Sequence, residues 1–366
     1  MSLYDDASLI MYPSGYKEDK IYSLKPTNGT GDLTFSRASS ATRVNAEGLI
    51  EEASVISTTE EVTNGNFATD SDWTKETGWS IVGGNLIATS VSGTAAYQVG
   101  SGLVSGKKYQ VQFEITEYTT GAIGLRAGTG ATLQTFNSIG VHYADMVAGG
   151  ALQIRFDVSG TTTLKVDNVS VKEVITSNIP RIDYTNGCGS LLLEGQSTNL
   201  ITYSEDFSQW TAENAIATIN NVISPDGTQN GTKLTPTTSS QRQAIKLAQS
   251  QNGDIVISCF AKKGEYDILQ ITDALNGSYY VNFDLDNGVV GSSSVMIGEI
   301  ENYGNGWYRC VSKYNSTSAI NAVRFSIAQN ATDGRLVNFA GNGTDSLYIY
   351  GAQLEQSSYP TSYIIS

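Results

Sequence analysis

The sequence predicts an all-β chain: two β-sandwich modules and a small N-terminal β-rich framework. Three observations predict it. The 366 residues include 37 glycines and 20 tyrosines, with Ser, Thr and Asn spread throughout. Tyr and Thr suit half-buried pleated surfaces, and Gly and Asn supply tight turns. Several runs alternate apolar and polar residues with period two, as a strand with one buried face requires. No stretch has the Ala/Leu/Glu/Lys richness of a long helix. With 40 % hydrophobic and 16 % charged residues, the composition is that of a folded chain long enough for two or three cores.

Residues 1–57 carry short apolar runs such as LTF and GLI between turn clusters, TNGTGD among them. They predict two or three short strands, too few to bury a core alone, so this framework packs on its neighbours or on a partner chain. Residues 62–174 form the first sandwich. In YQVQFEI, Tyr109, Val111, Phe113 and Ile115 share one face and Gln110, Gln112 and Glu114 the other. LQIRFDV places Leu152, Ile154 and Phe156 together, and TTTLKVDNVSVKEV slips phase near Asp167–Asn168, the mark of a bulge or a change of sheet. About eight short strands between turns make a sandwich the economical solution.

Residues 175–196 continue the framework, with SLLLE as a short strand. Residues 197–366 form the second sandwich, with strand-like DIVISCFAKK, YYVNFDLDNG, GWYRCVSKY and AVRFSIAQN. Tyr279, Val281, Phe283 and Leu285 share a face before the DLDNG turn. The two sandwiches correspond weakly: each opens with an Asn, an aromatic and a Trp (NGNFATDSDW, NLITYSEDFSQW) and closes on an alternating strand (LKVDNVSV, LYIYGAQL).

Charge narrows the function. The net charge is −14 with 22 Lys plus Arg, and no basic cluster exists to neutralise phosphates, so nucleic-acid binding is not expected. No run approaches the roughly 20 apolar residues of a membrane span, and the acidic start lacks the apolar core of a signal peptide. Synthesis in a cytoplasm is expected. Cys188, Cys259 and Cys310 are an odd set. Cys259 and Cys310 occupy strand positions, as buried free thiols or as a bridge between neighbouring strands; both readings stand.

Catalytic chemistry is poorly served. His142, the single histidine, sits between hydrophobic residues and is expected to be structural; a histidine-based zinc site or a triad would need it, and no nucleophile elbow accompanies it. GTGATL at 128–133 lacks the strand–helix context of a dinucleotide site. Glu205, Asp206, Asp284 and Asp286 are the obvious carboxylates, expected in turns and solvated faces rather than as a glycosidase pair. The chain is not expected to be an enzyme. Binding has better candidates. Sugar C–H faces pack on aromatic rings, which singles out Trp73, Trp79, Tyr97 and Tyr143, with a core or turn-anchor role as the alternative for the two tryptophans. Trp210 and Trp307 read as structural. Arg37 and Arg43 suit either an assembly contact or intrachain support.

Three stretches carry a family resemblance. FSRASSATRVNAEGLIEE, NIPRIDYTNGCGSLLLEGQSTNLITYSEDFSQW and GAQLEQSSYPTSYIIS resemble signatures of tailed-bacteriophage virion appendage proteins, head fibres or tail fibres, over roughly a fifth of the chain. In that family the first signature runs almost directly into the second; here about 120 residues intervene. The resemblance therefore implies that 62–174 is a module inserted into a framework made of 1–57 and 175–196. That module, through NGNFATDSDW and VDNVSVKEV, resembles the carbohydrate-binding jelly rolls attached to glycosidases. Residues 197–366 resemble a concanavalin-like or jelly-roll domain of phage fibres.

The family reading implies a non-enzymatic structural component of the virion, assembled in the host bacterial cytoplasm. It is anchored to capsid or tail proteins by its N-terminal region and forms a homo-oligomer, dimer or trimer. The alternative is a host-surface glycan-binding adhesin, with glycan hydrolysis more remote. The jelly-roll resemblance also implies a calcium ion held by Asn66, Asp70 and Asp167; the last module departs from it, with Tyr350 and Gly351 where the first has VDN. In the family YPTSYI precedes further sequence, so a receptor-binding or enzymatic tail is expected to be missing here.

Overall fold

The structure, a computed structural model, describes residues 3–99, 102–127, 134–150, 152–185, 187–273 and 278–366. The glycine-containing stretch 128–133 lies outside the described residues. The described chain is all-β, broken by a four-residue helix at Leu3–Asp6 and a 3-10 turn at Phe207–Gln209. It divides into two compact units, Ser54–Ile175 and residues 1–53 with 176–366. No helix among the described residues is long and apolar enough to cross a membrane.

The Ser54–Ile175 unit is built on two long antiparallel strands, Lys108–Ala127 and Gln153–Ile175. Their ladder runs from Tyr109↔Glu173 to Ala127↔Ile154 through several register shifts. Near the middle, Gly121 and Gly160 take left-handed backbone, φ 84° and 69°, a conformation costly for residues with a Cβ. The paired strands bend there and join two walls of one nine-stranded sheet. One wall adds Gly140–Val147, Asn85–Val91 and Trp79–Val82; the other adds Gln134–Phe136, Ala95–Val99 and Thr74–Lys75. The sheet wraps an apolar core in which Tyr109, Val111, Phe113 and Ile115 meet Ile154, Phe156, Val166 and Val171.

The phase slip in the sequence is a bulge: Asn168 has φ 53°, and the register shifts between Gln112↔Ser170 and Glu114↔Asp167. Leu152 corrects the sequence pattern. It precedes the strand that starts at Gln153 and is 37 % exposed, whereas Ile154 and Phe156 are buried. The unit begins and ends on neighbouring strands, because Val55–Ile56 pairs with Val174–Ile175.

The other unit contains two six-stranded antiparallel sheets around one core. The first runs Thr211–Glu213, Gln243–Ala248, Ala322–Ala328, Ile268–Asp273, Tyr280–Asp284, Val289–Ser294; the second runs Ala215–Val222, Gly231–Pro236, Leu347–Glu355, Gly253–Lys262, Trp307–Ser316, Ile297–Asn302. Ile257 and Leu354 of one sheet meet Leu269 and Phe325 of the other in the shared core, with Val281, Phe283 and Leu285 beside them. Cys259 and Cys310 lie directly opposite each other and are buried free thiols, as is the exposed Cys188 a free thiol. Burial pushes the thiols of Cys259 and Cys310 up.

Residues 1–53 form five short strands, more than the two or three expected: Ile10–Lys17, Lys20–Lys25 and Leu33–Thr34 in one sheet, Thr42–Val44 with Ile50–Glu52 in another. Arg181–Asp183 pairs with Ser190–Leu192. This material shares its burial with the second six-stranded sheet: Ile50, Phe260, Trp307, Tyr350 and Tyr363 form one apolar cluster. The stretches that carry the family resemblance meet here. Thr42 Oγ1 donates to the Tyr363 carbonyl at 2.7 Å, Arg181 to the Thr42 carbonyl at 3.0 Å, and Asn199 Nδ2 to the Ile364 carbonyl at 2.9 Å.

Candidate functional site

The four aromatic candidates do not converge. Trp73 and Trp79 are core residues, 4 % and 6 % exposed. Trp73 stacks on Phe156 at 6.0 Å and leans on Phe67 at 5.3 Å, with its Nε1 donating to the Asn64 carbonyl at 3.2 Å. Neither indole offers a face to solvent, which corrects their place among the sugar platforms: both anchor the fold. Trp210 is built the same way, stacked on Phe325 at 5.2 Å, leaning on Phe207 at 5.2 Å and donating to the Tyr203 carbonyl at 3.1 Å. Trp307 is buried and donates to the Ile223 carbonyl at 3.1 Å.

Tyr97 and Tyr143 lie on the outer surfaces of different walls of the nine-stranded sheet. The Tyr97 ring is covered by the Arg155 guanidinium at 5.3 Å. Arg155 is fixed to Asp157 at 2.9 Å, and Asp157 to Arg126 at 2.7 Å. That ring face is already occupied. Tyr143 is 56 % exposed, because the alternation that buries Ala144 and Met146 turns it outward.

Around Tyr143 the outer face is polar. Gln112 lies directly across from it, with Ser170 beyond. The neighbouring row is Asp145, Gln110 and Lys172, and the row on the other side is Val141, Glu114 and Asp167. The rim is held internally. Ser170 Oγ donates to Glu60 at 2.6 Å, Asn168 Nδ2 to Glu114 at 2.9 Å, and Lys108 pairs with Asp145 at 3.3 Å. The side-chain amides of Gln110 and Gln112 have no hydrogen-bond partner among the described residues. Strands sit about 4.8 Å apart and same-face rows about 7 Å apart, so this face measures roughly 10 by 7 Å. Gln110 and Gln112 were visible in the sequence only as the polar face of a strand; the cue that raises them is an outward amide facing an outward aromatic across a strand pair.

The remaining candidates have local roles. His142 packs on Phe113 and Phe136, ring centroids 5.5 and 4.9 Å away, with Nε2 2.8 Å from the Ser138 carbonyl. Of the calcium set, Asp70 pairs with Lys75, Asp167 accepts the Asn168 N–H at 2.7 Å, and Asn66 accepts the Ala68 N–H at 3.4 Å. Each is used in a turn or an ion pair, and no group of three or more His, Cys, Asp or Glu poised for a metal ion occurs among the described residues. Arg43 is engaged by Glu51 at 2.7 Å and by the Tyr16 hydroxyl at 3.3 Å. Arg37 is buried in its own chain, 4 % exposed. Arg43 therefore serves intrachain support, the other role the sequence allowed, with its side chain 21 % exposed.

Asp206 caps the 3-10 turn by accepting the Ser208 N–H, Asp284 accepts the N–H groups of Asp286 and Asn287, and Asp286 pairs with Lys263. Glu205 belongs to a cluster that the sequence did not reveal. Tyr350 donates its hydroxyl at 2.8 Å and also lies 3.1 Å from Asp226, while the Tyr363 hydroxyl is 3.2 Å from Glu205. Burial pushes the Glu205 carboxyl up, against the bonds from the two phenols. Asp226 is held below the usual range: burial opposes this, but bonds from Ser224, Thr228 and Asn230 prevail.

No protein-family model matches the chain, and no curated protein matches it. Among solved structures it is similar to the N-terminal CBM22-1–CBM22-2 tandem domain of Paenibacillus barcinonensis Xyn10C, at 10 % identity over 84 % of this chain and 98 % of that one, TM-score 0.30. It is also similar to the M60 catalytic domain with CBM51-1 and CBM51-2 of Clostridium perfringens ZmpB, at 10 % identity over 97 % of this chain but 43 % of that one, TM-score 0.22. A third is truncated AlyQ with CBM32 and alginate lyase domains, at 12 % identity over 87 % and 97 %, TM-score 0.22. The fold itself defines an all-β chain of several sheets, one of them nearly closed, with an open polar face that carries the exposed Tyr143.

Proposed function

We propose that the protein is a non-catalytic glycan-binding protein whose binding surface is the Tyr143–Gln112–Gln110 face. One observation carries this reading: an exposed tyrosine stands across a strand pair from the amide of Gln112, with that of Gln110 in the next row, and neither amide has a hydrogen-bond partner among the described residues. Sugar rings pack their C–H faces on aromatics, and a primary amide both donates to and accepts from hydroxyls. Placement on paired strands holds these groups ready without ordering a loop. We read both units as jelly-roll sandwiches, which accounts for the two facing sheets and for the bent strand pair joining two walls.

The setting we propose is a tailed-phage virion appendage, a head or tail fibre, attached to capsid or tail proteins through residues 1–57 and oligomeric as a dimer or trimer. Two features support it. The resembling stretches fold together, and the intervening unit leaves and returns on adjacent strands. A glycan array with the whole chain tests the binding reading. Binding should be seen for the parent and be lost in Tyr143→Ala and weakened in Gln112→Ala. Absence of any glycan bound at millimolar concentration, or binding unchanged by Tyr143→Ala, overturns it. Light scattering and pull-down against virion components test the setting; a monomer that captures none of them would remove it.

A further inference from the structure

The unit made of residues 1–53 and 176–366 contains a cavity of about 500 Å³ that the proposed glycan face does not use. It lies where Arg181–Asp183 and Ser190–Leu192 approach the edge strand Ile297–Asn302 and its neighbour Trp307–Ser316. Its size is that of a small-molecule site.

Its lining mixes the groups that a ring of hydroxyls needs. Leu192, Pro360 and the Tyr303 ring supply apolar wall, and Tyr303 is fixed edge-on against Phe260 at 5.0 Å. Asp183, Glu194 and Glu301 supply acceptors. The first two are locked: Asp183 accepts the N–H groups of Val44 and Thr185 at 2.9 and 3.0 Å, and Glu194 accepts from Arg181 at 2.9 Å and from the Ser362 N–H at 3.0 Å. A carboxylate has about four acceptor sites, so Asp183 keeps capacity for a ligand, whereas Glu194, which also accepts from the Ser362 hydroxyl at 2.8 Å, is engaged by its own chain. Glu301 is exposed and has no side-chain partner among the described residues.

One guanidinium group lines the cavity with them. Arg309 faces Glu301 across the strand pair and donates to the Thr361 carbonyl at 2.6 Å and to the Ser258 hydroxyl at 3.3 Å. The lining therefore combines carboxylates that accept with a guanidinium group that donates. A hydroxyl group answers both, because it donates one hydrogen bond and accepts others; a simple anion would meet the carboxylates unfavourably, and a simple cation the guanidinium group.

We infer that this cavity is a second binding site, for a single sugar ring, distinct from the Tyr143 face. The whole chain, titrated with D-glucose, D-galactose, N-acetyl-D-glucosamine and L-rhamnose and followed by NMR, tests it. At least one of the four should bind saturably. Glu301→Ala, an exposed change that leaves the core intact, should weaken that binding about tenfold, the loss of one hydrogen bond to a charged group. Tyr303→Ala should abolish it, and Tyr143→Ala should leave it unchanged. Three results overturn the inference: no saturable binding by any of the four, affinity unaltered in Glu301→Ala, or loss of binding in Tyr143→Ala.

Discussion

Tyr143 and Trp73 are aromatic residues of one unit with opposite exposure, and substitution separates them. Tyr143→Ala should leave the unfolding free energy within about 0.5 kcal/mol of the parent, as exposed positions do, while removing glycan binding. Trp73→Ala should cost about 3–5 kcal/mol, because it empties a stacked site in the core. Urea titration of the two variants checks this, and similar stabilities would refute it. The outward turn of Tyr143 was legible, since it alternates with buried Ala144 and Met146. The burial of Trp73 was not, since NGNFATDSDW has no period and the ring's partner, Phe156, is distant in sequence.

Glu205 gives a pH prediction at the same scale. A carboxyl raised in the fold contributes stability below its unfolded range and loses it as pH rises through its folded value. Relative to Glu205→Gln, the parent should therefore lose stability as pH climbs above the ordinary glutamate range. Asp226, held low, acts in the opposite sense: its contribution is lost as pH falls through its folded value. Thermal midpoints of parent and Glu205→Gln from about pH 4 to about pH 8 decide the matter, and a constant difference would count against it.

At the scale of elements, the bend in the long strand pair depends on its glycines. A Cβ on Gly121 would lie 2.1 Å from Thr162 Oγ1 and 2.6 Å from Thr162 Cα, whereas a Cβ on Gly160 meets nothing within 4 Å. Gly160→Ala should cost only the left-handed backbone penalty of about 1–2 kcal/mol, and Gly121→Ala measurably more; equal midpoints in chemical denaturation would contradict this. The alternating runs YQVQFEI and YYVNFDLDNG and the bulge at Asn168 were readable because period two is a local signal. The bend was not, because a glycine permits a left-handed residue without demanding one. The aromatic openings of the two units were visible as a weak likeness. Their shared construction, Trp73 on Phe156 and Trp210 on Phe325, joins strands distant in sequence and leaves no local signal.

For the molecule as a whole, the two units carry separate cores. The register Val55↔Ile175 places the two ends of the Ser54–Ile175 unit side by side, about 5 Å apart between paired Cα atoms. Deleting residues 54–175 and joining 53 to 176 should therefore leave the remaining unit folded. Calorimetry should resolve two transitions in the whole chain and one in the shortened chain; failure of the shortened chain to fold would show that the units depend on each other.

Those paired ends also bear on descent. A segment that departs and returns through neighbouring strands can be gained, lost or exchanged by recombination at two adjacent joints, with no change to the sheets of the other unit. Lineages carrying this chain can thus exchange residues 54–175 while inheriting the rest unchanged, and sequence divergence should fall more heavily on residues 54–175 than on the stretches that meet around Thr42, Arg181 and Tyr363.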